Sequence, residues 1–486
     1  MLALTYSLNV EIGKTTMSVS PARAQSRVRR LRAIATVLAT ALTATLLVGA
    51  PAQAAPVYSN YVMGYFTESP DSIANNYGLH LAVSSDGHNW APLNQNAPVV
   101  TPTAGTRGLR DPYIFRKQDG TFVVLATDLA GTNFAQNNQY IHAWDSADLT
   151  SFSNYRRIKV HSLATHSWAP EAFWDPARNQ YGIIYSAFNG TRDVIMVNYT
   201  SDFVNVSAPQ TWFDPGVNII DATVTVDNGA YYMYYKRDNQ LFGAKSTSLA
   251  PGAFNNATYT TGYAGSGLTE APIVVKSLTS NQFTLWGDVY TPVNGKFTAW
   301  SSSSISTNSW TPLSQRAYTQ PLNSKHATIQ PITSVEYSNL VTRWGLPSWN
   351  RLKSFNYPDR YVRHASNVAR IDQYPFDPFA DSQFRMVAGL AGTNTVSFRS
   401  INFPNMFLRH EGFELKLASN DGSAAFAADS TFTRVAGLAD SSWSTFTSFN
   451  YPDRVIRHTG FVLRIDPITT TSSQAAREDA TFGVRY

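Results

Sequence analysis

The chain has 486 residues, with 38 basic and 33 acidic side chains, 9 histidines, no cysteine, and 13% aromatic against 15% charged residues. That length exceeds one ordinary core, so more than one domain is expected, and without cysteine neither a disulfide framework nor a thiolate metal site can form. The basic surplus does not indicate nucleic acid or an anionic membrane as partner: six basic residues and one acid lie in the first 54 positions, and the remainder is charge-balanced.

Those 54 residues read as a cleaved secretory signal. Arg27, Arg29, Arg30 and Arg32 precede an apolar run from Ala33 to Ala50, and Ala52-Gln53-Ala54 offers small residues to a signal peptidase. A secreted protein with no membrane anchor is expected. From Tyr58 to Trp344 the sequence is strand after strand, as in "LHLAVSS", "FVVLATDL" and "AYYMYYKR", with no long helical period. Five of these strands end in Ser, Thr or Asp and turn towards a large apolar residue: "SSDGHNW" from Ser84, "DSADLTSF" from Asp145, "TSDFV" from Thr200, "STSLAPGAF" from Ser246 and "SSSISTNSW" from Ser302. Spaced 46 to 61 residues apart, they predict a five-bladed β-propeller over residues 55–345 of an all-β protein. The segment from Lys325 is expected to close the ring, as the innermost strand of the blade begun by the N-terminus.

One ionisable group opens each innermost strand: Asp111 in "LRDPYIF", Glu171 in "SWAPEAFWD", Asp221 in "NIIDATV", Glu270 in "LTEAPIVV" and His326 in "SKHATIQ". All five are expected at one level of the channel mouth. Hydrolysis of a glycoside needs two carboxyl groups in different protonation states. Carboxylates crowded in a narrow mouth can supply them, because each charge raises the proton affinity of its neighbours. Trp168 and Phe188 are candidates to stack on a sugar ring, and Asn189 to bond a hydroxyl or to serve a turn.

Beyond Gly345-Leu346-Pro347, residues 346–486 write one phrase three times: "FNYPDRYVRH" from Phe355, "INFPNMFLRH" from Ile401 and "FNYPDRVIRH" from Phe449. Three short repeats that cannot bury their apolar faces alone predict a β-trefoil. Each copy ends in a histidine followed by an acid before a Phe: His364 with Asp381, His410 with Asp429, His458 with Asp479. An imidazole and a carboxylate can divide a sugar's hydroxyls between donor and acceptor. The "FN-Y/F-P" positions read as core and turn.

The motifs "RDPYIF", "WAPEAFW", "IID" and "TEAP", in this order, resemble glycoside hydrolase family 43. That resemblance implies an inverting glycosidase with Asp111 as general base, Glu270 as general acid and Asp221 orienting the acid. It implies substrate contacts for Glu171 and His326. "IIDAT" and "TEAP" depart from the family's usual "IDPS" and "EGP". The threefold phrase is similar to carbohydrate-binding module family 42, a trefoil whose His and Asp residues contact arabinofuranose. Together they imply a secreted, monomeric exo-α-1,5-L-arabinofuranosidase acting on arabinan and other arabinose-bearing plant polysaccharides, without metal or cofactor. An exo pocket would need closing by loops such as Asn133–Gln139 and Ala264–Thr269. The alternatives are an endo-arabinanase, an arabinoxylan arabinofuranosidase and an arabinan-binding protein without activity.

Overall fold

The computed structural model describes residues 56–69, 73–254, 258–260, 268–291 and 294–486; the expected signal lies outside them. Five four-stranded antiparallel sheets form the propeller. Blade I joins Tyr58–Thr67, His80–Ser84 and Ala91–Pro92 to Ser324–Thr333, so the ring closes as expected, with the late strand innermost. Blades II to V begin with the innermost strands Leu109–Arg116, Trp168–Asp175, Ile220–Asp227 and Leu268–Lys276. The recurring Ser or Thr sits where the third strand of a blade turns to the fourth, and its hydroxyl accepts a turn amide. Ser84 takes Gly87 N–H at 2.9 Å, Ser146 takes Leu149 N–H at 2.8 Å and Thr200 takes Phe203 N–H at 2.9 Å.

A helix, Ser334–Trp344, follows the closing strand. Its start was legible: Thr333 and Glu336 form a capping box, and Leu340 is buried on the inner face. Tyr337, Val341 and Trp344 pack with Leu340 against the core of blades I and II.

The C-terminal part is one twelve-stranded sheet made of three four-stranded repeats. The last strand of each repeat pairs with the first strand of the next: Phe384–Ala388 with Val396–Ser400, Phe432–Ala436 with Ser444–Ser448, and Phe482–Arg485 back with Arg351–Ser354. The middle strands form three hairpins that meet one another through Val368–Lys416, Arg370–Val462 and Glu414–Arg464. One core fills the closed ring, with Phe384, Phe398, Phe432, Phe446 and Phe482 stacked between hairpin leucines and isoleucines. Arg351 reaches from this sheet to the Gln320 carbonyl at 2.9 Å, and Lys353 to the Tyr318 carbonyl at 2.5 Å, which fastens it against blade V and the closing strand.

Candidate active site

The propeller builds its channel mouth with one device used five times. In each innermost strand a β-bulge interrupts the pairing, between Arg110 and Tyr113, Trp168 and Glu171, Ile220 and Thr223, Glu270 and Ile273, and Lys325 and Thr328. Within each bulge one residue takes left-handed backbone: Asp111, Ala169, Asp221, Ala271 and His326. For a non-glycine residue this costs of order 1–3 kcal/mol, and it re-aims the side chain. Side chains of the preceding blade hold several of these amides. Thr127 Oγ1 accepts Ala169 N–H at 2.8 Å, Ser186 Oγ accepts Asp221 N–H at 2.9 Å, Asp221 Oδ2 accepts Ala271 N–H at 3.2 Å and Asp288 Oδ2 accepts His326 N–H at 3.1 Å.

The bulges correct the expectation of five groups at one level. Asp111, Asp221 and His326 share the left-handed position, and Glu270 stands one residue before it. Glu171 falls two residues after it, in register with Tyr113 and Thr223, and lines a second cavity deeper in the channel. Burial there pushes its carboxyl up to about 8, against a lowering bond from Thr223. At the mouth, blade III offers Ala169 at this position and presents Trp168 instead.

A cavity of about 530 Å³ is lined by Asp111, Trp168, Asp221, Glu270 and His326. Sequence reasoning missed its other polar walls: Glu68, Arg110, Lys236, Tyr290, Asn294 and Lys325. Arg110 and Lys325 occupy the same pre-bulge position as Glu270, so aligning the five motifs on the residue after the bulge, Pro or Ala in each, would have found them. Glu68 and Lys236 come from neighbouring strands and carry no local signal. Phe188 and Asn189 do not line the cavity. Asn189 serves the turn, its Oδ1 accepting Thr191 and Arg192 amides at 2.9 and 3.0 Å, and Phe188 is exposed at a strand end. Phe134, from the Asn133–Gln139 loop, does reach the cavity and meets Trp168 edge to face at 5.9 Å. His166 stacks on the other side of Trp168 at 3.8 Å, and the indole N–H has no partner among the described residues. Residues 264–267 of the second loop lie outside the described residues.

The charges at the mouth are sorted. Asp111 Oδ1 lies 3.0 Å from His326 Nδ1, and its Oδ2 accepts the Thr127 hydroxyl at 2.7 Å. Burial pushes this carboxyl up, but the His326 charge, its hydrogen bond, Arg110 and Thr127 outweigh burial and hold it down at about 2. The same contact works in reverse on His326. Burial lowers its proton affinity, yet Asp111, Asp221 and Glu270 together raise it to about 9, so the ring is an imidazolium at neutral pH. Asp221 goes the other way: burial, with Glu270 and Asp111 nearby, lifts it to about 6 despite His326 and Lys236. Glu270 Oε2 accepts from Lys236 Nζ at 2.8 Å, and that ammonium lies 4.3 Å from the centre of the Tyr290 ring. One carboxyl held ionised by an imidazolium, one lifted and one paired with a lysine ammonium suit an exchange of protons with a bound molecule.

His326 has a folded pKa above the ordinary 6.5, so the stability its proton supplies is fully present below about pH 6.5 and is lost as pH rises through about 9. The gap in unfolding free energy between the wild type and His326→Gln is therefore expected to narrow between those values, as read by urea unfolding at pH 6 and pH 9.5. A constant gap would remove the charged pair from the account.

In the C-terminal sheet the structure brings each predicted pair together and adds two partners from the next repeat. His364, His410 and His458 lie 3.4, 3.6 and 3.5 Å from Asp381, Asp429 and Asp479. Asn402, Asn450 and Asn356 bridge each pair, with their Oδ1 3.1, 2.9 and 2.9 Å from the imidazole Nε2. Their Nδ2 groups donate to the acids at 2.8, 2.8 and 2.7 Å. The Arg before each His donates to that same acid at 2.6 to 2.8 Å. Beside each Asn stands an exposed ring, Phe403, Tyr451 or Tyr357, edge-on to the histidine at 5.4 to 5.5 Å. The "FN-Y/F-P" segments do turn, and Phe355 is buried as expected, but the Asn and the ring of each also stand beside the His–Asp pair of the preceding repeat, which the reading as core and turn left out. Burial drops His458 to about 4, which leaves a neutral imidazole.

Comparison with known proteins accords with both halves. Residues 350–484 match the "Alpha-L-arabinofuranosidase B (ABFB) domain". An "Alpha-L-arabinofuranosidase" of Bifidobacterium longum is 30% identical over 198 residues, covering 35% of this chain and only 18% of its own length. An "Extracellular exo-alpha-(1->5)-L-arabinofuranosidase" of Streptomyces avermitilis is 28% identical over 418 residues, 71% of this chain and 84% of that protein. A solved "thermostable family-43 glycoside hydrolase" shares 17% identity over 65% of this chain and 94% of its own, with a TM-score of 0.36. Residues 56–338, more than half the chain, match the glycoside hydrolase 43-related family described as "Probable glycosyl hydrolase domain", and the chain belongs to that family.

Proposed function

We propose that this protein is a secreted, inverting exo-α-1,5-L-arabinofuranosidase held on its polysaccharide by a three-site β-trefoil of the family-42 binding type. The observation that carries the reading is the sorting of charge in the mouth cavity: Asp111 is kept ionised by His326 while Asp221 is lifted. In this reading Asp111 activates water. Glu270 gives its proton to the leaving oxygen once an entering sugar has displaced Lys236 from Oε2. Asp221 positions Glu270 by gripping the amide of Ala271, the next residue. Inversion needs room for water between base and acid, roughly 6.5–9.5 Å between their carboxyls. Asp111 and Glu270 stand on blades II and V, with the closing strand of blade I packed between them. Phe134 and Trp168, the latter backed by His166, give a furanose apolar surface to lie against.

Secretion belongs to the same proposal, supported by the leader-like first 54 residues and by the relative named extracellular; a single-chain state and the division at residue 345 are proposed with it. No organic cofactor is invoked. The testing experiment is hydrolysis of linear α-1,5-arabinan followed by proton NMR in the first minutes. Arabinose alone, appearing first as the β-anomer, is the expected result. An early ladder of oligosaccharides would make the enzyme endo-acting, and initial α-arabinose would remove the inverting assignment.

The three trefoil sites are expected to act through effective concentration, each weak and together retentive. Replacing His364, His410 and His458 together with Ala should cut retention on insoluble arabinan at least tenfold and leave arabinotriose turnover within twofold. Equal loss of both would mean that the module serves the catalytic cavity directly.

A further inference from the structure

The three repeats of the C-terminal sheet act as an internal control, and one strand pair departs from the other two. Each repeat junction opens with a Phe facing a Ser: Phe384 with Ser400, Phe432 with Ser448 and Phe482 with Ser354. One residue further, the opposing side chains are Thr433 and Thr447 at one junction, and Gly483 and Lys353 at another. At the third they are Arg385 and Arg399. Like charges directly opposite on paired strands destabilise the pair. The Thr433–Thr447 junction carries none, and where the Phe482–Ser354 junction opposes Arg351 and Arg485, Arg351 is occupied by the Tyr486 and Gln320 carbonyls, each at 2.9 Å. Neither arginine has an acidic partner among the described residues. Arg385 donates only to Ser348, at 2.7 Å to its hydroxyl and 3.3 Å to its carbonyl, and Arg399 has no partner there.

Both arginines line a cavity of about 500 Å³ between the propeller and the C-terminal sheet, and no acidic side chain among the described residues lines it. Asn323 also lines it, only 4% exposed, with an Nδ2 that finds no acceptor among the described residues. A buried amide donor without an acceptor leaves its desolvation uncompensated unless something fills its place. Asn402 belongs to the cavity and to the His364–Asp381 constellation at once, so the cavity continues the first of the three sugar sites. On the opposite wall Thr67 and Ser69 face it, while Glu68 between them faces the catalytic cavity.

We propose that this cleft is a further saccharide site whose ligand carries a carboxylate, a uronate unit of the polysaccharide, gripped by Arg385 and Arg399. Paired guanidinium forks match a carboxylate in geometry and charge. The amides and hydroxyls around them match the polyol body, which a bare inorganic anion would leave unfilled. The inference rests on the saccharide-binding reading of the C-terminal sheet and is independent of the catalytic assignments.

The test is calorimetry on the full chain with trigalacturonate, its methyl ester and inorganic phosphate, beside the Arg385→Gln/Arg399→Gln double variant. Trigalacturonate is expected to bind, its ester at least tenfold more weakly, and the double variant to lose the same factor. Arabinan retention and arabinotriose hydrolysis should be unchanged in that variant. Equal affinity for acid and ester, phosphate binding as tight as trigalacturonate, or no binding of trigalacturonate would each overturn the proposal. Should the double variant not fold, the acid-against-ester ratio of the wild type and its decline with added salt decide the matter. Loss of arabinan retention in the wild type, with trigalacturonate still bound, would instead overturn the arabinofuranose reading of the module.

Discussion

Asp111→Asn is expected to lower kcat on arabinotriose by about 10²–10⁴ while KM changes little, the range usual for loss of a general base. The substitution keeps the shape of the side chain, and the carboxamide can still accept the Thr127 hydroxyl. It removes the negative charge, and with it the acceptor that water needs and the largest stabiliser of the His326 proton. A second signature follows from that pairing. The His326 imidazole, raised to about 9 in the wild type, should titrate lower in the variant, as read by carbon-13 NMR of the ring. Exogenous azide is a nucleophile that needs no base and can attack the anomeric carbon in place of water, so partial rescue with a glycosyl azide of inverted configuration would support the role. Full activity of the variant without azide would assign the base elsewhere.

Glu270→Gln should behave differently, because the need for an acid depends on the leaving group. Arabino-oligosaccharides leave as poor alkoxides and need full protonation, so kcat should fall by about 10²–10⁴. A 2,4-dinitrophenyl arabinofuranoside leaves unaided and should lose less than about tenfold. The structure adds a competing candidate, since Asp221 is the carboxyl that burial lifts, to about 6, while Glu270 is bound by Lys236. The same leaving-group contrast in Asp221→Asn, absent from Glu270→Gln, would pass the proton to Asp221. Loss in Asp221→Asn that is equal for both substrates matches its proposed task of holding the Ala271 amide under the acid.

Much of the architecture was legible because the propeller and the C-terminal sheet are written as repeats. The Ser or Thr that caps each outer turn recurs for a local reason, a hydroxyl accepting a turn amide, and local reasons survive in sequence. The closing role of Ser324–Thr333 followed from counting strands. The capping box of Thr333 and Glu336 is equally local. Glu171 was misplaced for a different reason. Strand reasoning assumes that alternate side chains point the same way, and five bulges break the alternation at the channel mouth. "WAPE" and "RDPY" look alike as strings, yet the bulge puts Ala169, not Glu171, in the place of Asp111.

The sequence by itself determined the number of blades, the three C-terminal repeats and three of the carboxylates that line the mouth, Asp111, Asp221 and Glu270, since each depends on residue type and spacing along the chain. Only the tertiary structure decided which groups meet. Lys236 reaches Glu270 from blade IV, His326 reaches Asp111 from the closing strand, and Asn402, Asn450 and Asn356 each complete a neighbour's site. Such pairings join residues 34 to 215 positions apart, and they form where blades and repeats close on themselves. Closure of a ring is a property of all its parts together, so no single motif records it.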